Sequence, residues 1–114
     1  YVNGNGKKGD TSAKDFMRKH KDKIAYLHFK NVDEKVFAKV KAEGLDSDEA
    51  FDLDVMCDLA DGIVDYVDLK KVVDEIGVEG IGEIEQDMPK ATTQQAFDAA
   101  KRNLAYLRSI GMIE

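Results

Sequence analysis

Two kinds of hydrophobic spacing alternate along this chain. Residues 24–30 alternate with a period of two, placing Ala25, Leu27 and Phe29 on one side and Tyr26, His28 and Lys30 on the other, which predicts a strand. A second strand is expected over 81–86, and its extended course continues into Asp87. There Ile81, Glu83, Glu85 and Asp87 share one face while Gly82, Ile84 and Gln86 take the other. The remaining segments carry helical spacing. Ser12 and Asp15 form a capping-box pattern ahead of a helix with Ala13, Phe16 and Met17 on one face, ending near His20. A short helix over 34–42 turns Val36, Phe37 and Val40 inward and stops at Gly44. Asp46 and Glu49 offer another capping box before Ala50, Phe51 and Val55, and 58–62 reads as a loop. Asp65 is the expected N-cap of a helix carrying Leu69, Val72, Val73 and Ile76, with Gly77 as its stop. After Pro89, Thr92 and Gln95 cap a final helix whose apolar stripe is Ala96, Phe97, Ala100, Leu104 and Leu107, ending at Gly111.

The expected order is helix, strand, a helical excursion of about fifty residues, strand, helix. Strand–helix–strand alternation implies parallel strands, which need helices on a covered face and neighbouring strands at both edges. Two such strands cannot supply that alone. The expectation is a piece of a larger α/β fold. The opening residues 1–10, with Gly4, Gly6 and Gly9 and no hydrophobic period, read as a loop following a strand.

Composition narrows the function. The net charge is -6, which argues against nucleic acid as a partner, since phosphate binding needs a basic face. The basic cluster Lys14, Arg18, Lys19, Lys21 and Lys23 is expected to be the solvated face of a helix. Cys57 is the single cysteine, so no intrachain disulfide can form, and a cytoplasmic location is the default expectation. It is expected to be a packed or idle thiol. No apolar run is long enough to span a membrane. The acids Glu83, Glu85 and Asp87 at the end of the second strand would repel one another if buried, and a divalent cation is the usual compensation. The alternative is an edge strand with a solvated acidic end.

A family resemblance rests on several stretches. Residues 24–33, Ile-Ala-Tyr-Leu-His-Phe-Lys-Asn-Val-Asp, resemble the "I-x-x-x-H-L-K-D-V" strand of inosose dehydratases and related sugar isomerases. These form part of the xylose-isomerase-like TIM-barrel family. Residues 40–45 are similar to that family's "R-x-E-G-L" step and 61–66 to its "G-D-G-V-V-D-F" turn. Ile84-Glu85-Gln86-Asp87 resembles its "V-E-Q-D" end of the last barrel strand, and 101–108 its closing helix. The similarity runs over roughly residues 10–111 and covers the last two strands and last three helices of a (β/α)8 TIM barrel. On this resemblance the whole chain, 1–114, is a C-terminal fragment of one such domain.

The resemblance implies a site at the C-terminal ends of the strands. It makes His28 and Glu85 ligands of a divalent metal ion (Mn²⁺, Co²⁺, Zn²⁺ or Mg²⁺), completed by a Glu and an Asp from earlier strands. Glu83 replaces Glu85 if the strand is offset by two residues. Lys30 would hydrogen-bond a sugar hydroxyl or an enediolate oxygen, and Asp87 would orient a ligand or contact substrate. Asn31 stands where the family has Asp, which removes an acid–base role at that position. The implied chemistry is proton abstraction next to a carbonyl of a sugar or cyclitol, with Glu85 and Lys30 catalytic. Loss of water from the intermediate gives a dehydratase, and return of the proton elsewhere gives an isomerase or epimerase. A non-catalytic domain with a vestigial site is the other alternative. The implied partner is a small molecule, with no nucleic acid, no membrane, and room for a homo-oligomer.

Overall fold

Helix ends in this chain are set by short polar side chains and glycines, and the structure, a computed structural model describing residues 11–114, shows them at work. Helix α1 spans Ser12–Lys19 and is followed by a single 3-10 turn at Lys21–Lys23. Strand β1 is Leu27–Phe29 and β2 is Gly82–Ile84. Between them lie α2 (Glu34–Glu43), α3 (Ser47–Asp52) and α4 (Tyr66–Ile76), and α5 (Thr93–Ser109) follows β2. Asp46 with Glu49 and Thr92 with Gln95 close the expected capping boxes, and Asp65 accepts from the Asp68 amide. Gly44 and Gly77 end α2 and α4 in the left-handed conformation that other residues adopt only with strain.

Strands β1 and β2 are parallel, with Leu27 opposite Gly82, His28 opposite Glu83 and Phe29 opposite Ile84. Each is shorter than the seven or six residues expected, and the reason lies at both ends. Gly80 has φ +152°, and a Cβ there would sit 3.1 Å from the Ala25 carbonyl oxygen, so the chain enters β2 through a bend. At the other end the Glu85 amide still donates to the Phe29 carbonyl, but the next peptide groups of β1 turn to a side chain. Two parallel strands and five α-helices are compatible with a TIM-barrel fragment, and the described residues contain no closed barrel.

The core occupies one face of the sheet. Phe29, Leu59, Tyr66 and Leu107 form one buried cluster joining β1, the loop after α3, α4 and α5. Val32, Val55 and Ile63 form a second, against which Val36, Phe37, Ala50 and Phe51 pack. Val32 and Met56 pair in an isolated antiparallel bridge that pins the loop to the end of β1.

Four expectations need correction. The N-cap of α1 is Thr11, which makes no side-chain capping bond, and the Ser12/Asp15 box does not form. Phe16 also faces outward and stacks on His20 at 4.5 Å, while Ala13, Lys14 and Met17 turn inward. The basic cluster is not simply a solvated face, because Lys14 pairs with Asp68 and Arg18 with Glu75, fastening α1 to α4. The buried stripe of α5 is Ala99, Asn103 and Leu107, with Phe97 and Leu104 on the outside. A buried Asn in mid-stripe concealed the true face from hydrophobic spacing. The expected loop at residues 1–10 lies outside the described residues.

Candidate functional site

Alternation along β1 and β2 puts the core residues Phe29 and Ile84 on one face and leaves the other open. That open face changes character along its length. Tyr26 and Ile81, 60% and 81% exposed, lie at its base. His28 and Glu83 come next, and Lys30, Glu85 and Asp87 gather at the C-terminal end.

Glu85 is the hub of this end. Its Oε2 lies 2.8 Å from His28 Nε2, and its Oε1 receives the Lys30 ammonium. The same ammonium also donates to Asp87 Oδ2. All four side chains remain between 31% and 41% exposed, so they border open space. Glu83 stands level with His28 but is exposed, and the carboxylate that reaches the imidazole belongs to Glu85.

Electrostatics fix the charge states of two members. Burial works against the Lys30 charge, but hydrogen bonds to Asp87 and Glu85 outweigh it and raise the pKa. Asp87 is held below its ordinary value of 3.8 by the hydrogen bond from Lys30, which outweighs the opposing effect of burial. At neutral pH Lys30 is an ammonium and Asp87 a carboxylate.

Support comes from residues that sequence reasoning undervalued. The buried Tyr66 hydroxyl accepts from the Lys30 amide at 2.9 Å and donates to the Lys30 carbonyl at 2.8 Å. Asn31, 2% exposed, donates to the Leu59 and Val64 carbonyls and accepts from the Val32 and Val64 amides. All its hydrogen-bonding capacity is used. Gly62 exists to admit it, because a Cβ there would lie 2.2 Å from Asn31 Cγ. Asn103 links the Leu59 amide to Gln86 next to the hub, and Arg102 with Gln86 holds Asp58 below its ordinary value. The only sequence signal for these roles was polar residues interrupting apolar stretches. Cys57 is raised to about 11 by burial and by Asp33, Asp61 and Asp58, which makes it a poor nucleophile.

His28 and Glu85 are residue types that divalent ions accept, and the 2.8 Å between His28 Nε2 and Glu85 Oε2 is the length of a direct hydrogen bond between them. Two donors are fewer than such ions take, and among the described residues no group of three His, Cys, Asp or Glu is placed to hold one ion. Beside Asp87 lies an open hollow of about 600 Å³ lined by Asp48, Phe51, Asp52, Met88 and Pro89.

Over 94 residues, 81% of its length, the chain is 31% identical to an inosose dehydratase of Erwinia tasmaniensis. The relationship is distant. The chain spans 30% of that protein's length. No family model and no solved structure matches the chain. Among the described residues no helix is long and apolar enough to cross a membrane.

Proposed function

We propose that this chain is the C-terminal part of a (β/α)8 enzyme that removes a proton next to the carbonyl of a sugar or cyclitol and then expels water, in the manner of an inosose dehydratase. The observation that carries the reading is the convergence of His28, Lys30, Glu85 and Asp87 at the C-terminal end of two parallel strands, where barrel enzymes place their chemistry. The likeness to the Erwinia inosose dehydratase supports it.

In this reading His28 and Glu85 would hold a divalent metal together with carboxylates from other strands. When bound, such an ion lends positive charge to the oxygens of an enediolate. A carboxylate of the site would take the proton and return it to the departing hydroxyl, which leaves as water, while the chain's own groups supply the surrounding contacts. Lys30, fixed as an ammonium, donates hydrogen bonds to an oxygen that becomes negative as the proton leaves. Glu85 shares its two oxygens between imidazole and ammonium, so displacement of one partner is felt by the other. Asp87, a carboxylate at neutral pH, orients Lys30 and accepts from a substrate hydroxyl. The hollow beside it is of a size typical for small-molecule sites.

The test uses the full-length protein, with metal content and turnover of ketone-bearing cyclitols and sugars measured together. Glu85→Gln and His28→Ala should lower both, while Cys57→Ser leaves both unchanged. Full metal occupancy and full activity in Glu85→Gln would overturn the assignment. A vestigial site draws on one observation, that Glu85 and Asp87 are already paired with Lys30. Wild-type protein that binds no metal and turns over no such substrate would establish that reading instead. Product analysis separates dehydration from isomerisation or epimerisation.

A further inference from the structure

Lys30 sits where β1 has run out of strand partners among the described residues, yet its ammonium must stay between two carboxylates. A lysine side chain is long and flexible, so its working position depends on how firmly its backbone is held. Ordinarily a neighbouring strand would hold it. Among the described residues a hydroxyl takes this place. Tyr66 Oη closes a two-bond clasp on the N–H and C=O of Lys30, at 2.9 and 2.8 Å, in the manner of a strand partner. The ring behind that hydroxyl cannot shift, being 2% exposed and edge-on to Phe29 at 5.7 Å. It opens α4, whose N-cap Asp65 fixes the first turn. On the other flank, Asn31 is locked by its four bonds to the 59–64 loop and its own neighbour.

We propose that Tyr66 is a positioning residue for the reaction, holding the backbone of Lys30 so that its ammonium meets the developing negative charge. The proposal rests on the role given to Lys30 above and adds a group that touches neither substrate nor metal. Phenylalanine at this position would keep the packing of the ring and lose only the clasp. The Tyr66→Phe variant therefore separates positioning from core formation.

The experiment uses the full-length protein and three comparisons. In Tyr66→Phe, residue-resolved hydrogen exchange should speed up at the Lys30 amide and stay unchanged at Leu27, whose amide is bonded to Ile81 across the sheet. Turnover should fall with little change in KM, by about ten- to a hundredfold for a group displaced by a fraction of an ångström to an ångström. In a Lys30→Met background the same substitution should cost nothing further, because it acts through that side chain. Additive losses, or full kcat alongside faster Lys30 exchange, would overturn the proposal. If Lys30→Met itself keeps full turnover, the functional reading of Lys30 fails and positioning for catalysis fails with it. Losses in Lys30→Met but none in Tyr66→Phe overturn the clasp alone.

Discussion

At the scale of single residues, the buried amide of Asn31 separates support from chemistry. Its Nδ2 faces the Leu59 and Val64 carbonyls, and its Oδ1 faces two amides. A carboxylate in this place would turn both donated bonds into repulsions. Asn31→Asp should therefore destabilise the protein by about 2–4 kcal/mol at neutral pH, read as a lower urea midpoint, with partial recovery as the acid protonates. An unchanged midpoint would mean that the 59–64 loop is held by something else. The similar strand of the family carries Asp here, and sequence alone could note only that the amide is no base. Its role as a loop anchor depends on which backbone groups crowd around it, which spacing does not encode. Cys57 gives a second prediction. With its thiol raised from 9.0 to about 11, the reactive thiolate is about a hundredfold scarcer at pH 8 than for an ordinary cysteine. Alkylation of the native protein should be slower by about that factor, and unfolding in urea should restore the ordinary rate.

At the scale of elements, α5 and α1 show what fastens a helix here. Leu107 is fully buried whereas Phe97 on the same helix is 57% exposed. Leu107→Ala should cost about 2–5 kcal/mol, and Phe97→Ser should stay within about 0.5 kcal/mol, as measured by urea unfolding of the full-length protein. A loss at Phe97→Ser as large as that at Leu107→Ala would restore the stripe expected from spacing. For α1 the attachment is electrostatic, through Lys14 with Asp68 and Arg18 with Glu75. Hydrogen bonds from Lys14 and Arg18 hold Asp68 and Glu75 below their ordinary 3.8 and 4.5. A carboxyl group depressed on folding contributes stability above its unfolded pKa, and that contribution vanishes as pH falls through its folded value. The α1–α4 attachment should therefore weaken below about pH 4 and in high salt, seen as faster exchange of α1 amides before global unfolding. Caps and stops were legible beforehand because Asp46, Asp65, Thr92, Gly44 and Gly77 act within one turn of where they stand in sequence. The orientation of α5 and the use of Lys14 were not, because both depend on partners more than forty residues away. Strand alternation gave the shared faces of His28 with Lys30 and of Glu83 with Glu85, and the resemblance joined His28 to Glu85, but neither pointed to Tyr66 hidden behind Lys30.

At the scale of the whole chain, one face of the sheet builds the core and the other carries the charges. Apart from Tyr26 and Ile81 at its base, the open face holds His28, Lys30, Glu83, Glu85 and Asp87. Stability and chemistry are thus assigned to opposite sides of two short strands. The sheet also joins segments far apart, since Lys30 and Glu85 are separated by 55 positions. Parallel pairing across so long a loop is slow to form, because the loop must close before any contact rewards it. Helices capped from within, such as α3 and α5, need no such wait. The charged hub is then among the last features assembled and among the first to come apart. Substitutions at Glu85 or Lys30 should speed unfolding and leave the refolding rate nearly untouched, so the chain acquires its shape before it acquires its site.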